Sequence, residues 1–333
     1  MTALDAPPGV LHVPAREIPI PTSVSEDAQR VLAMGPLAAP PVWPPLDDIA
    51  AWEAMVAEAD AQSAGIVGLL QRALVGDGSE PVPEIVDLDV DGVTVYSSTP
   101  ADVADDDTRI VLDIHGGAFV FGGGAQCRSM TPLTALQFGA ATWSVDYRMP
   151  PRHPAPAALD DCLTVYRAIL TEHRPGDIVV AGGSAGGNLA AALILRARDE
   201  GLPLPAGVVL QTPATDLTAS GDTFSTNLGL DNVLTGRFDA PMELYTAGAD
   251  PRHPYLSPLF GDLAGFPPTI LTSGTRDLLL SDTVRMHRAL RAACVDADLH
   301  VWEAGSHGGF LQMAPEDAER TAEVRRFAER CWS

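Results

Sequence analysis

Residues 178–193 read Ile-Val-Val-Ala-Gly-Gly-Ser-Ala-Gly-Gly-Asn-Leu-Ala-Ala-Ala-Leu, an apolar run followed by a glycine-rich turn and an alanine-rich stretch. The apolar run predicts a buried strand, and the alanine-rich stretch predicts a helix. The turn between them is Gly-x-Ser-x-Gly, in which a Cβ at Gly182 or Gly186 would collide with neighbouring backbone. Such a turn holds a hydroxyl at the carboxyl end of a sheet, beside a helix N-terminus. Ser184 is therefore the candidate nucleophile.

Glycine-rich turns between a strand and a helix also bind phosphate groups. A phosphate-binding loop of the usual kind needs lysine in Gly-Lys-Ser/Thr, and this chain contains no lysine. The same absence excludes a Schiff-base lysine for pyridoxal phosphate and a Ser-Lys catalytic dyad. The turn is therefore predicted to carry a nucleophile.

The composition of the 333 residues is that of a globular protein, with 46% hydrophobic and 20% charged residues. The formal net charge of −23 disfavours nucleic acid and anionic membrane surfaces as partners. We find no apolar run of about 20 residues that would predict a membrane span, and no secretory signal pattern. The 4 cysteines lack metal-binding or redox spacing. These features together predict a cytoplasmic protein with reduced thiols.

From Glu84 onward, apolar strand candidates alternate with helical patterns. The predicted strands are Ile85–Val90, Val93–Ser97, Ile110–Ile114, Ala141–Asp146, Ile178–Ala181, Gly207–Gln211, Thr269–Thr272 and Leu299–Trp302. The predicted helices are Met130–Phe138, Ala157–Glu172, Asn188–Asp199, Ser281–Ala293 and Pro315–Arg330. This alternation predicts an α/β fold with a mostly parallel eight-stranded sheet and helices on both faces. The first two strands, joined at Asp91-Gly92, are predicted to form an antiparallel hairpin at the sheet edge.

Two segments do not follow this alternation. Residues 1–80 contain clustered prolines and then a helical pattern from Asp47 to about Leu74, and residues 216–254 are irregular. A long insertion after the carboxyl end of a strand is well placed to cover a site there. We therefore divide the chain into an N-terminal part, residues 1–80, and a catalytic domain, residues 81–333, with an insertion at about 216–254.

A serine nucleophile needs a base, and catalytic groups of α/β folds lie in loops after the strands. Among the 8 histidines, His307 is the strongest candidate, because it lies in a glycine-flanked loop after the last predicted strand. Asp277 follows the strand before it and is the candidate partner of that base. Asp282 is the alternative, although Ser281-Asp282 is more typical of a helix start. The order Ser184, Asp277, His307 is that of α/β-hydrolases.

A predicted loop after the Ile110–Ile114 strand supplies candidate donors for an oxyanion. Its sequence is His115-Gly116-Gly117-Ala118-Phe119, in which the glycines let successive backbone N–H groups converge. Together with the N–H of Ala185, these groups would form an oxyanion hole beside Ser184.

The chain resembles the hormone-sensitive-lipase-like (bacterial family IV) esterases of the α/β-hydrolase fold, from about Glu84 to its C-terminus. The matching blocks are His115-Gly-Gly-Ala-Phe119, Asp146-Tyr-Arg-Met-Pro-Pro-Arg-His-Pro154, Gly182-Gly-Ser-Ala-Gly-Gly-Asn-Leu-Ala190 and Gly305-Ser-His-Gly-Gly-Phe310. The resemblance implies that the oxyanion donors are Gly117, Ala118 and Ala185, with Gly116 as a further contributor. It also implies that Asp160 stabilises the turn at Tyr147 and Arg148. The N-terminal helices and the insertion would form a helical cap, and a homodimer would form through an edge strand or the last helices.

Two positions depart from the pattern of that family. Gly183 stands where the family usually has an acidic residue or threonine, and Leu278 stands where it usually has proline. Neither position belongs to the triad, so they bear on rate and subfamily. Glycine at position 183 removes a negative charge next to the nucleophile.

The sequence thus predicts a serine carboxylic-ester hydrolase that acts on small or medium-chain esters through an acyl-enzyme, without a metal ion or cofactor. A lactone hydrolase, of the terpenoid ε-lactone type, or an amidase with the same triad is the enzymatic alternative. A non-catalytic ligand-binding protein on the same fold is the alternative of another class. Apolar side chains of the expected cap either surround the substrate or pack the cap itself; they are Trp43, Trp52, Met55, Met242, Leu244 and Tyr245.

Overall fold

The computed structural model describes residues 9, 15, 17–75 and 82–333, with the backbone alone for residues 63–75. Its strands are β1 (Ile85–Val90), β2 (Val93–Ser98), β3 (Ile110–Ile114), β4 (Ala141–Asp146), β5 (Ile178–Gly183), β6 (Gly207–Gln211), β7 (Thr269–Gly274) and β8 (Ala297–Trp302). Its α-helices are α1 (Glu26–Ala33), α2 (Ile49–Val75), α3 (Ala125–Phe138), α4 (Ala157–Glu172), α5 (Ala185–Asp199), α6 (Thr223–Thr226), α7 (Asp239–Thr246), α8 (Leu280–Ala292) and α9 (Pro315–Cys331).

The strands form one 8-stranded sheet in the order β1-β2-β4-β3-β5-β6-β7-β8. β2 pairs antiparallel with both β1 and β4, and all the other pairs are parallel. The predicted α/β fold class is confirmed. Because parallel strands end at the same edge of the sheet, this order brings together the loops after β3, β5, β7 and β8.

Alternate residues of the central strands face two separate apolar layers. Val179 on β5 packs with Phe138 of α3 and Phe327 of α9 on one face. Val180, the next residue, faces the larger layer on the other side, which includes Leu189 of α5. All five side chains are buried, so both faces of the sheet are covered by helices, as the continuous apolar strands predict.

Element boundaries differ from the prediction mainly beside glycine. The hairpin between β1 and β2 is confirmed, with φ 51° at Asp91 and φ 86° at Gly92. Helix α3 begins at Ala125, five residues before the predicted start at Met130, and its N-cap is Gly124. The added residues, 125–129, read Ala-Gln-Cys-Arg-Ser and contain no large apolar side chain, so apolar periodicity did not indicate this first turn.

The N-terminal segment and the insertion are joined by hydrogen bonds. Leu37 N–H donates to Asn232 O at 2.8 Å, and Thr235 Oγ–H donates to Ala39 O at 3.3 Å. The insertion contains the short helices α6 and α7 within otherwise irregular chain. Helix α2 matches the helical pattern predicted for residues 47–74, but the apolar side chains from position 63 onward lie outside the described residues. So do parts of the predicted N-terminal region, at 1–8, 10–14, 16 and 76–80.

Among the described helices, none combines the length and the apolar character that crossing a bilayer requires.

Candidate active site

The Gly-x-Ser-x-Gly turn has the geometry that its sequence predicts. Ser184 lies between β5 and α5 with φ 56° and ψ −121°, a conformation that residues with a Cβ rarely adopt. Its N–H donates to Gln211 O at 2.9 Å. A Cβ at Gly182 would overlap Gly186 O, and one at Gly186 would overlap Ile114 O. The neighbouring backbone therefore fixes Ser184 at the end of the sheet.

His307, in the loop after β8, contacts Asp277, in the loop after β7. His307 Nδ1 lies 3.0 Å from Asp277 Oδ1, and Asp277 is fully buried. Because a carboxylate can only accept a hydrogen bond, Nδ1 carries the proton and Nε2 is the basic nitrogen. Asp277 is itself held by Ser273 Oγ–H at 2.7 Å and by Leu279 N–H at 2.9 Å. The structure thus brings the two predicted residues together.

The alternative carboxylate, Asp282, lies on α8 and forms different contacts. Its Oδ2 accepts the Asp216 N–H at 2.9 Å, and its Oδ1 has no hydrogen-bond partner in the described chain. Burial, with a smaller contribution from the charge of Asp216, raises the pKa of Asp282 to about 8. A neutral carboxyl group stabilises an imidazolium far less than a carboxylate does. Asp277 is therefore the better partner for His307.

Three charged side chains face His307 from three different segments. Burial lowers the pKa of His307, whereas the charge and hydrogen bond of Asp277 and the charge of Asp231 raise it. Arg320 on α9 acts in the opposite direction. The acidic groups prevail, so the pKa of His307 is above its ordinary value. A raised pKa makes the imidazole a stronger base.

The loop after β3 lies against Ser184, as predicted for an oxyanion hole. A Cβ built on Gly116 would lie 3.2 Å from Ser184 Cβ, so the loop approaches the serine closely. Gly117 has φ 118° and Ala118 has φ 50°, which turns the backbone sharply at this point. Within the described chain, the N–H groups of Gly117, Ala118 and Ala185 donate to no other protein group. These N–H groups are available to a bound anion or carbonyl oxygen.

Ser184, His307 and the loop after β3 line one cavity of about 450 Å³. That volume is within the range of pockets for small organic ligands. Most of its wall is apolar, and the insertion supplies much of it, as in Phe224, Val233, Leu234, Phe238 and Met242. Ser184 Oγ forms no hydrogen bond to a described residue and lies at the cavity wall. Catalytic hydrogen bonds are often long before a substrate is bound.

An aromatic cluster supports this wall from the N-terminal segment. The Trp43 ring lies 5.7 Å from that of Trp52, 5.6 Å from Phe238 and 6.4 Å from Phe121. The indole N–H of Trp43 also donates to Arg237 O at 2.9 Å. Phe121 and Phe238 line the cavity, so Trp43 lies directly behind its wall, with Trp52 stacked on Trp43. Among the apolar side chains predicted to surround the substrate, Met242 lines the cavity itself.

The turn at Tyr147 and Arg148 is held by Asp161, so the implied role of Asp160 is wrong. Arg148 donates from its backbone N–H to Asp161 Oδ2 at 2.8 Å and from its guanidinium to Oδ1 at 2.7 Å. Asp160 instead pairs with Arg196 on α5. Neighbouring helical residues point about 100° apart. An error of one residue on α4 therefore replaces the buried carboxylate of Asp161 by the partly exposed one of Asp160.

Two buried charged residues near His307 carry no sequence signal. Asp231 lies in the irregular insertion, and its carboxylate accepts the N–H groups of His307 and Leu278. Arg320 lies on a helix rich in charged residues, yet it is only 8% exposed and lines the cavity. Neither position differs in sequence pattern from an ordinary surface charge. Only tertiary contacts reveal their location.

Comparison with known proteins places these features in a family. A family model for the α/β-hydrolase fold matches residues 111–311. The chain is 36% identical to an acetyl-hydrolase of Streptomyces hygroscopicus over 60% of this chain and 68% of that protein. It is 33% identical to an esterase of Acinetobacter venetianus over 66% of this chain and 75% of that protein.

Solved structures of esterases are similar over nearly the whole chain. The structure of esterase E25 has a TM-score of 0.85 and 34% identity, covering 96% of this chain and 98% of that one. An esterase of the bacterial hormone-sensitive lipase family has a TM-score of 0.76 and 30% identity, covering 93% and 99%. The chain therefore belongs to the α/β-hydrolase family, among enzymes of the carboxylesterase type.

Proposed function

We propose that this enzyme hydrolyses small or medium-chain carboxylic esters through an acyl-enzyme. Ser184 Oγ attacks the ester carbonyl carbon, and His307 Nε2 accepts the hydroxyl proton while Asp277 stabilises the imidazolium. His307 then gives that proton to the leaving alcohol. In the second half-reaction His307 takes a proton from water, which attacks the acyl-enzyme and releases the acid.

The observation that carries this proposal is the 3.0 Å contact between His307 Nδ1 and Asp277 Oδ1, made by a histidine that shares a cavity with Ser184. The tetrahedral oxyanion would be bound by the N–H groups of Gly117, Ala118 and Ala185, with Gly116 as a further contributor. Each such donor is worth roughly 10²-fold or more in kcat.

We further propose that residues 1–80 and 216–254 act as a cap over the cavity. The contacts of Trp43 with Phe121 and Phe238 support this role, since they join the N-terminal segment to the cavity wall. An apolar wall favours hydrocarbon acyl or alcohol groups. The names of the acetyl-hydrolase and esterase relatives support esters as substrates.

The test of the nucleophile is Ser184→Ala, assayed with p-nitrophenyl butyrate. We expect kcat to fall roughly 10⁴-fold or more while the thermal unfolding temperature is retained. Exposed Ser225 provides the control, and Ser225→Ala should keep full activity. A fluorophosphonate probe should label the wild type and Ser225→Ala but not Ser184→Ala. Retained hydrolysis by Ser184→Ala would overturn the assignment.

The substrate class is tested with a panel of p-nitrophenyl acetate, butyrate, octanoate and palmitate, beside ε-lactones and the matching anilides. We expect the highest kcat/KM for acetate to octanoate, in keeping with the proposed chain-length class. A higher kcat/KM for lactones or anilides would replace the ester assignment by lactonase or amidase activity. Binding of these compounds without turnover would indicate a ligand-binding protein.

We extend the proposal to a homodimer, which the family resemblance implies, and to a cytoplasmic location, which the composition predicts. Strand β8 is an edge of the sheet, where Val301 is 39% exposed. Light scattering of the purified protein measures the mass of the assembly, and cell fractionation measures its location.

A further inference from the structure

The insertion places a second carboxylate beside the base. Asp231 is fully buried, and its two oxygens accept four backbone N–H groups. Two come from its own segment, Val233 at 2.9 Å and Leu234 at 3.0 Å. The third comes from Leu278, the residue after Asp277, at 3.0 Å. The fourth comes from His307 itself, at 3.2 Å.

The residue after Asp231 ties this carboxylate to the N-terminal segment. Asn232 N–H donates to Ser306 Oγ at 3.2 Å, and its side-chain amide donates to Val31 O on α1 at 3.0 Å. Ser306 directly precedes His307. The base loop, the loop after β8 that contains Ser306 and His307, is therefore held by the insertion, and the insertion is in turn held by α1.

Arg320 holds the same loop from α9. Its guanidinium donates to Gly308 O, the carbonyl of the residue after the base. Arg320 Nη2 also lies 3.4 Å from Asp317 Oδ1, and that oxygen accepts the Phe310 N–H at 3.0 Å. Arg320 is buried, so this contact costs desolvation that an exposed arginine would not incur. An arginine kept in such a place is consistent with a positional role.

We propose that Asp231 and Arg320 are positioning residues that hold His307 through two backbone groups, Asp231 through the His307 N–H and Arg320 through the Gly308 carbonyl. The inference rests on the proposed role of His307 as the base for Ser184. It adds that the insertion and α9, not the loop sequence alone, determine where that base lies.

The two residues carry opposite charges, which gives each a different effect on the imidazole. The charged groups that face His307 are Asp277 from the loop after β7, Asp231 from the insertion and Arg320 from α9, the last paired with Asp317. The charge of Asp231 raises the pKa of His307, and that of Arg320 lowers it. Removing either charge should therefore change the pH at which the imidazole of His307 loses its proton.

The first test is Asp231→Asn, with kcat and kcat/KM of p-nitrophenyl butyrate measured across pH. An amide accepts through one oxygen only, so its NH2 group would face the N–H groups of either Val233 and Leu234 or Leu278 and His307, and either repulsion loosens the connection between the insertion and the loop of His307. Displacements of this kind cost up to about 10²-fold in rate, so we expect kcat to fall 10- to 100-fold with KM changed less than about threefold. The acid limb of kcat/KM should move to lower pH, because the pKa of His307 falls.

The opposite variant is Arg320→Gln, which should move the acid limb to higher pH. Asp113→Asn is the control, since Asp113 is a carboxylate of β3 that hydrogen-bonds Ser144 and has no contact with His307. It should leave the acid limb in place. Thermal unfolding establishes that each variant is folded. If Asp231→Asn does not fold, the acid limb of Arg320→Gln is the measurement that tests the inference.

An unchanged kcat and acid limb in folded Asp231→Asn, or acid limbs that move in the same direction in both variants, would overturn the inference. An unmoved limb in Arg320→Gln overturns it as well. Failure of the proposed function gives a different result, because Ser184→Ala would then remain active and labelling by the fluorophosphonate probe would not require Ser184. The two failures are therefore distinguishable.

Discussion

The nucleophile side and the base side of the cavity are held by different kinds of contact. Ser184 is held by residues near it in sequence and by adjacent strands, since its turn packs against the ends of β3 and β6. His307 is held by groups far away in sequence, such as Asp231, which is 76 residues distant. The insertion that carries Asp231 is itself tied to Val31, 201 residues from Asn232. Damage to the two sides should therefore have different consequences.

On the base side, the largest expected effect comes from Asp277→Asn. An asparagine at this position donates its amide N–H to His307 Nδ1, which forces the proton onto Nε2 and removes the base. We expect kcat to fall on the order of 10³- to 10⁴-fold, with the protein folded. Steady-state kinetics with p-nitrophenyl butyrate and a thermal melt measure the two quantities.

Asp282→Asn is the matched control for that variant. The pKa of Asp282 is about 8, so this group is already neutral at pH 7 and an amide preserves its charge state. We expect kcat within about threefold of the wild type. A loss as large as that of Asp277→Asn would show that the triad acid is misassigned.

The second effect is on the nucleophile side, where a single methyl group should affect folding. In Gly186→Ala, the new Cβ would overlap the backbone oxygens of Ile114 and His115. We expect a loss of about 3 kcal/mol or more in the free energy of unfolding, and a Tm lower by roughly 5 °C or more. Differential scanning calorimetry measures both.

Gly183→Ala tests whether this sensitivity belongs to the whole turn. A Cβ at Gly183 would lie 3.7 Å from Gln211 O, an ordinary contact, so we expect a change within about 1 kcal/mol. The position that departs from the esterase pattern therefore has room for a side chain. Equal destabilisation by both alanines would contradict the strand-based account of the nucleophile side.

This comparison also explains what the sequence could predict. The turn around Ser184 repeats a local rule, because a short strand and a short helix can be joined this tightly only with glycine at 182 and 186. Asp277 and His307 follow their strands, so strand order alone indicated them. The ends of the eight strands were predicted to within two residues, because buried parallel strands are continuous apolar runs bounded by polar turns.

Asp231 and Arg320 could not be predicted in that way. Asp231 lies in a segment without periodicity, and its role depends on a register between the insertion and the base loop that no local pattern specifies. Arg320 lies in a helix of alternating charges, where burial depends on how α9 packs against the loop after β8. The error at Asp160 is of the same kind, since the choice between adjacent helical residues depends on the orientation of α4.

The smallest effect concerns a carboxylate within the strand framework itself. Asp113 lies on β3, where burial raises its pKa to about 6 although hydrogen bonds from Ser144 and Thr134 act against that change. The ordinary pKa is 3.8, so between these values the folded protein binds a proton that the unfolded chain has released. The contribution of Asp113 to stability is therefore fully present below pH 4 or so and is lost as pH rises through about 6.

Asp113→Asn should remove this dependence, because an amide does not titrate. From the two pKa values, the free energy of unfolding of the wild type should fall by at most about 3 kcal/mol relative to the variant between about pH 4 and pH 7. Urea unfolding of both proteins across this range measures the difference. The kcat of the variant should stay within about twofold of the wild type, because the stability of the sheet changes while the position of His307 does not. A pH-independent difference in the free energy of unfolding would show that folding does not raise the pKa of Asp113. A large loss of kcat would couple β3 to His307 and contradict the separation of the two sides.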